Sequence, residues 1–142
     1  MLVTLSVAAL TFSACTAARW YLNRSGRREE DFFGGRVRLT ELWNDAGPFG
    51  LPVGRRLWMV LAASALGEIL RLSRWNPAAG GLIFGGGASN LWENFRHGRA
   101  YDYLEFPKVP RLNRYVCNLA DVAILFGGIG IIVGAARRGR RK

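Results

Sequence analysis

Two aspartates lie at the edges of strongly apolar segments of this chain, and each follows an asparagine at short spacing. Asp102 comes twelve residues after Asn90, and Asp121 comes three residues after Asn118. An ionisable side chain near a bilayer is costly, so its presence calls for a reason. Two carboxylates in one site can share a proton, so that one serves as base and the other as acid toward a water molecule. These residues predict a hydrolytic site of the aspartic-protease type.

Other kinds of chemistry find little support in the composition. His97 is the single histidine, and Cys15 and Cys117 lie far apart, in or beside apolar runs, without the close spacing of metal ligands. These residues therefore do not indicate a metal site. The net charge of +10 is spread over loops and the C-terminal tail, not along one helix face, so nucleic acid is not an expected partner.

The apolar residues fall in four blocks that could hold such a site in a membrane. A helix of about 18 residues is about 27 Å long, close to the hydrocarbon thickness of a bilayer. We predict four membrane-spanning helices, at about residues 1–18, 57–72, 77–93 and 116–136. The second is the weakest, because a segment with Glu68 and Arg71 would equally suit a buried helix of a soluble protein.

Four spans place both termini on one side of the membrane and make the chain a single integral-membrane domain, residues 1–142. The basic tail that begins at Arg137 is typical of a cytoplasmic end and suits anionic lipid head groups. The first connection, residues 19–56, would then lie outside, although its many arginines argue for the cytoplasm by the same rule. The orientation therefore depends on the resemblance given below.

The segments between the spans show two patterns. Val37 and Leu39 alternate with polar residues, which indicates a short strand with one face on apolar surroundings. Residues 93–114 include Pro107 and Pro110 and predict an exposed connection. The predicted fold class is an all-α membrane protein with a small extracytoplasmic β and loop subdomain between helices 1 and 2. Glycines crowd the third predicted helix, which favours close packing of its neighbours.

Three short motifs resemble those of signal peptidase II, a bacterial family of integral-membrane aspartic peptidases. The family carries Gly-Gly-x-x-x-Asn, a glycine eight residues and a catalytic aspartate twelve residues after that asparagine, and later Asn-x-Ala-Asp with the second aspartate. The first pattern is matched in register by Gly85, Gly86, Asn90, Gly98 and Asp102. Residues 118–121, Asn-Leu-Ala-Asp, match the second pattern. An earlier family motif is similar to residues 44–50, where three positions agree: Asn44, Phe49 and Gly50.

The resemblance implies that Asp102 and Asp121 are the catalytic pair. It also implies a set of substrate-binding residues: Asn44, Asn90, Asn118 and Arg19. The implied reaction cuts a prolipoprotein just before a cysteine that carries a diacylglyceryl group. The implied enzyme is a multi-pass protein of the bacterial inner membrane that works as a monomer among membrane lipids and without a cofactor.

The chain departs from the family pattern at two places. Glu93 and Asn94 stand where the family has Asp-Arg, and we expect Arg96 to supply the missing guanidinium. At the outer end of the first helix the family's acid is absent, and Arg19 takes the place of its lysine. These departures leave two other functions open. One is an inactive relative that binds lipidated peptides, and the other is a small transporter or scaffold that uses Asp121 for protons or packing.

Overall fold

The computed structural model describes residues 1–26, 29–44 and 54–140, and most of them are helical. The helices are α1 (Leu2–Ser25), α2 (Arg55–Leu72), α3 (Pro77–His97) and α4 (Leu119–Gly139). Helices α2, α3 and α4 coincide with predicted segments to within a few residues. Helix α1 is longer than predicted, because no glycine or proline interrupts residues 19–25, and it ends where Gly26 adopts a left-handed φ of 62°.

The described strands form one antiparallel sheet in the order β1-β2-β3-β4. They are β1 (Glu30–Phe32), β2 (Val37–Asn44), β3 (Ala100–Glu105) and β4 (Val116–Cys117). The strand predicted at Val37 and Leu39 is confirmed as part of β2. The all-α class is correct only in part, because half of the sheet comes from the connection between α3 and α4.

Strand β3 corrects the prediction of an exposed connection over residues 93–114. Tyr101 and Tyr103 on this strand are only 2% and 4% exposed. Strand β3 pairs with β2 on one side, where Leu42 lies opposite Asp102, and with β4 on the other. Because β2 is distant in sequence, the residues of β3 show no local pattern that would predict this pairing. Asp102 therefore lies on a central strand and not in a loop.

Helix α3 is the central helix and packs against α1, α2 and α4. Its glycines allow the close approach that the sequence predicted. A Cβ atom on Gly81 would lie 2.7 Å from the carbonyl oxygen of Thr4 in α1, and one on Gly86 would lie 2.7 Å from that of Ala120 in α4. Real Cβ atoms do not come so near to a backbone oxygen, so these glycines set the distance from α3 to both neighbours.

Replacing Gly86 by alanine should push the start of α4 away from α3 and destabilise the fold by about 1–3 kcal/mol, the usual range for overpacking. Gly128→Ala is the matched control, because a Cβ there meets nothing within 4 Å. The melting temperatures of both variants in detergent check this. Equal melting temperatures for the two variants would show that the close approach at Gly86 does not matter.

The described structure exposes many large apolar side chains and buries several polar ones beside a small hydrophobic core of Ala79, Ile83 and Ile131. Large exposed apolar side chains on the outer faces of α1 and α4 include Leu2, Leu5, Leu10, Leu125, Phe126, Ile129 and Ile132. The buried polar residues include Thr4, Arg19, Ser73, Ser89, Asp102 and Asn118. Of the described helices, α1 and α4 are long and apolar enough to cross a bilayer. Helices α2 and α3 do not meet that criterion, so four spans are not confirmed.

Candidate active site

Asp102 and Asp121 reach the same asparagine from two different elements. Asp102 lies on β3 and is 5% exposed, and Asp121 lies in the first turn of α4. The side-chain amide of Asn118 donates to Oδ1 of Asp102 at 2.7 Å, and its backbone N–H donates to Oδ2 of Asp121 at 2.9 Å. One residue thus joins the two carboxylates, and the fold brings together the two aspartates that the sequence singled out.

The local sequence explains how α4 begins at this point. Asn118 is the N-cap residue, and its Oδ1 accepts from the N–H groups of Ala120 at 2.9 Å and Asp121 at 3.3 Å. The Asp121 carboxylate accepts in return from the N–H of Asn118, which completes a capping box. Tyr103 on β3 adds a further hydrogen bond, because its hydroxyl oxygen accepts from the N–H of Leu119 at 3.1 Å. The helix start is therefore fixed to the strand that carries Asp102.

The other two asparagines named from the sequence also contact the pair. Asn44, the last residue of β2, donates to Oδ2 of Asp102 at 3.3 Å. Asn90 on α3 donates to Oδ1 of Asp121 at 2.9 Å. Together with Asn118, they give every oxygen of the two carboxylates a hydrogen bond from an asparagine. The rest of the earlier motif, Phe49 and Gly50, lies outside the described residues.

Arg19 lies behind Asn90 in the interior of the bundle, at 5% exposure. Its guanidinium donates to the carbonyl oxygen of Ser89 at 3.0 Å, to the Ser89 hydroxyl at 2.9 Å and to Oδ1 of Asn90. Glu93 balances its charge at 3.8 Å. The sequence assigned the missing guanidinium to Arg96, but Arg96 is exposed near the end of α3. The guanidinium at this place belongs to Arg19, which orients the amide that contacts Asp121.

Arg19→Met should destabilise the protein by about 3–5 kcal/mol, because it removes one partner of a buried ion pair and keeps only the apolar stem. Ser89 and Asn90 would lose their donor, and Glu93 would keep a poorly solvated charge. Arg38→Met is the control, since Arg38 pairs with Asp31 at 2.8 Å in an exposed position. Thermal unfolding in detergent compares the two. A melting temperature that falls no further for Arg19→Met than for the control would contradict the buried role.

The surroundings of Asp102 act on its carboxyl group in two directions. Burial raises the pKa of Asp102, and the nearby charge of Asp121 raises it further. The hydrogen bonds from Asn118 and Asn44 act in the opposite direction. The net effect is a raised pKa, so the Asp102 carboxyl keeps its proton to a higher pH than an exposed aspartate does.

Two further ionisable side chains near the pair, Tyr103 and Cys117, are neutral at neutral pH. Burial raises the pKa of Tyr103 to about 12. Burial, with the charges of Asp121 and Asp102, raises the pKa of Cys117 to about 11. Both side chains therefore stay neutral, and the Cys117 thiol is a poor nucleophile. His97 is exposed at the end of α3, where its ring lies 6.1 Å from that of Trp43.

Comparison with known protein families gives a match over nearly the whole chain. The family model for signal peptidase II matches residues 7–137. A lipoprotein signal peptidase of Synechococcus is 27% identical, over 96% of this chain and 95% of its own length. One of Syntrophomonas wolfei is 28% identical, over 82% and 79% of the two chains. One of Methylorubrum extorquens is 32% identical over 68% of this chain, and the match spans 61% of that relative's length.

Two solved structures described as bacterial membrane enzymes share the fold. One has a TM-score of 0.83 at 14% identity and covers 98% of this chain and 90% of its own. The other has a TM-score of 0.78 at 15% identity, with coverage of 93% and 91%. The match of the family model includes both aspartates and the asparagines that hold them. The chain therefore belongs to the signal peptidase II family.

Proposed function

We propose that this protein is a membrane-embedded aspartic endopeptidase that removes signal peptides from prolipoproteins carrying a diacylglyceryl cysteine. The observation that carries the proposal is the pair of hydrogen bonds from Asn118, which hold Asp102 and Asp121 in one site. Membership in the signal peptidase II family supplies the substrate class. The remaining steps follow from the environments of the two carboxyl groups.

In this proposal Asp102 carries the shared proton, because burial raises its pKa, and Asp121 serves as the base. Asp121 takes a proton from water as the water oxygen attacks the scissile carbonyl carbon, while Asp102 gives its proton to the carbonyl oxygen. The resulting diol intermediate is neutral. Asp121 then passes its proton to the amide nitrogen, the C–N bond breaks, and Asp102 recovers a proton from one hydroxyl. Both aspartates return to their starting states without a covalent enzyme adduct.

The asparagines orient the carboxyl groups and provide amides for the substrate backbone. Asn44, Asn90 and Asn118 each have a donor directed at an aspartate, and an amide can donate and accept hydrogen bonds at once. Arg19 is a positioning residue in this proposal, because its buried guanidinium contacts Asn90 and not the aspartates. This refines the role of substrate binding that the resemblance implied for it.

We place the protein as one domain with all four helices across the inner membrane and both termini in the cytoplasm. The exposed apolar faces of α1 and α4 support contact with lipid tails. The aspartate dyad, Asp102 and Asp121, then lies with the sheet at the extracytoplasmic boundary. Arg137 and Arg138 at the opposite end agree with the positive-inside rule. We propose that the protein works as a monomer.

A processing assay tests the proposal. The protein is expressed in bacteria whose own lipoprotein signal peptidase is depleted, and the size of a diacylglyceryl-modified prolipoprotein is followed on gels. We expect conversion to the mature form, and no conversion of a substrate whose modified cysteine is replaced by serine. A stably expressed protein that binds the lipidated substrate without cutting it would favour the inactive relative and overturn the proposal.

Asn44→Ala should shift the alkaline limit of cleavage to higher pH. The hydrogen bond from Asn44 stabilises the ionised form of Asp102 and so lowers the pKa of that carboxyl. Without this hydrogen bond the pKa of Asp102 rises further, and the proton needed for catalysis stays bound to a higher pH. The pH dependence of kcat/KM for native and variant enzyme measures the shift. An alkaline limb that moves to lower pH would contradict the assignment of the proton to Asp102.

A further inference from the structure

An open cavity lies at the end of α3 and α4 that is farthest from the aspartate pair. Its volume is about 260 Å³. Asp121 opens α4 and the cavity lies beside its last turns, so the two places are separated by most of a helix about 31 Å long. The lining residues come from the turn between α2 and α3 and from α4: Trp75, Asn76, Val133, Gly134, Arg137 and Arg138.

The walls of this cavity are held by specific packing. A Cβ atom on Gly134 would lie 2.8 Å from the carbonyl oxygen of Trp75, so glycine is what lets α4 touch the turn there. The side chain of Asn76 accepts from the N–H of Ala79 at 3.1 Å and donates to the carbonyl oxygen of Gly130 at 3.2 Å. Asn76 therefore fixes the turn to α4 and has little capacity left for a ligand.

Positive charge around the cavity is not balanced by acids. In the described part of the chain, neither Arg137 nor Arg138 forms an ion pair. The guanidinium of Arg74 lies over the ring of Trp75, 5.7 Å from its centroid, and brings a third cation to the rim. Residues 69–92 and 122–142 contain no aspartate or glutamate. No acidic side chain therefore lines the cavity, and the helix ends contribute partial charges of both signs there, positive at the start of α3 and negative at the ends of α2 and α4.

We propose that this cavity binds a phosphate group, namely the phosphodiester head group of an anionic phospholipid. The paired N–H donors of an arginine guanidinium match phosphate oxygens, and basic pockets between membrane helices are suited to anionic lipid head groups. The volume fits a head group and not a whole lipid. The acyl chains would lie along the exposed apolar face of α4, where Val133 on the cavity wall is 42% exposed and Ile132 is 69% exposed.

This site is separate from the proposed peptidase activity and would anchor the protein in the cytoplasmic leaflet. A bound lipid there clamps α4 against the turn between α2 and α3. Lipid binding at the cavity can be measured without any cleavage assay, so its failure is distinguishable from a failure of the peptidase proposal.

The test measures lipid binding to the purified full chain in a zwitterionic detergent by native mass spectrometry. Phosphatidylglycerol is the probe, and diacylglycerol, which lacks the phosphate, is its matched control ligand. We expect the double variant R137Q/R138Q to bind phosphatidylglycerol about tenfold more weakly than the native chain, through loss of two charge-assisted contacts. Arg140→Gln removes a charge from the same tail without touching the cavity and should change binding by less than about twofold.

Three results would overturn the proposal. The first is unchanged binding in the double variant, and the second is an equal loss in Arg140→Gln, which would indicate attraction by the tail as a whole. The third is equally strong binding of inorganic phosphate, which would make a free anion the ligand. If the double variant does not fold, R137K/R138K replaces it as the test. This variant keeps both charges but loses the paired N–H donors of the guanidinium groups, and we expect it to bind about threefold more weakly than the native chain.

Discussion

Asparagine in place of Asp102 or Asp121 should lower the rate of prolipoprotein cleavage by about 10²–10⁴-fold, the usual contribution of general acid–base catalysis. Asparagine has nearly the same shape as aspartate but cannot exchange the proton that the pair passes to and from the substrate. Initial rates of cleavage by the purified variants, with a diacylglyceryl-modified substrate, measure the loss. The melting temperature of each variant shows whether the fold is intact.

Asp31→Asn is the matched control for both changes. It makes the same substitution on β1 of the same sheet, where Asp31 forms an exposed ion pair with Arg38 at 2.8 Å. We expect cleavage to change by less than about twofold, because exposed pairs contribute little. Cleavage at the native rate by either Asp102→Asn or Asp121→Asn would remove that residue from the mechanism.

Asn118→Ala should lower both stability and activity, because this side chain serves the helix and the dyad together. The loss of an N-cap side chain destabilises a protein by about 0.5–2 kcal/mol. The same change deprives Oδ1 of Asp102 of its donor at 2.7 Å and loosens the first turn, where Asp121 lies. We expect cleavage to fall by about 10²-fold, the effect of a small misplacement of a reacting group. Melting temperature and cleavage rate are measured on the same preparation.

Asn76→Ala separates the two effects. Asn76 is the N-cap of α3, accepts from Ala79 and donates to Gly130, so its loss should destabilise the protein by a similar amount. It lies at the end of the bundle away from the dyad, and we expect cleavage to stay within about twofold of the native rate. If both variants lost activity in proportion to their melting temperatures, Asn118 would be a cap and nothing more.

The asparagines around the aspartates could be named from the sequence because they stand in the motifs that resemble those of signal peptidase II. Asn118 and Asp121 are three residues apart, the spacing of an N-cap and the third residue of its helix, and the structure adds a capping box there that was not predicted. Asn90 lies on the glycine-rich helix, and its motif connects it with Asp102, whereas in the structure it donates to Asp121. The helix positions of α2, α3 and α4 likewise follow from continuous apolar runs.

The features that the sequence missed all depend on contacts between distant segments. Strand β3 becomes a strand because β2 pairs with it, whereas Pro107 and Pro110 by themselves predicted an exposed connection. The hydrogen bond from Leu119 to Tyr103 depends on the same pairing. Arg19 was assigned to substrate binding because nothing in residues 15–19 indicates Ser89, which the guanidinium reaches from another helix. Long-range pairing of polar groups carries no periodic signal.

The central claim is that Asp102 and Asp121 act as one unit, and the double variant D102N/D121N tests it most directly. Cleavage rates of the two single variants and the double variant are measured with purified protein in the same bilayer and with the same lipidated substrate. Groups that act as a unit show non-additive losses. We predict that the double variant is no slower than the slower single variant. Losses that multiply would mean that the two carboxyl groups work independently, which would contradict the account.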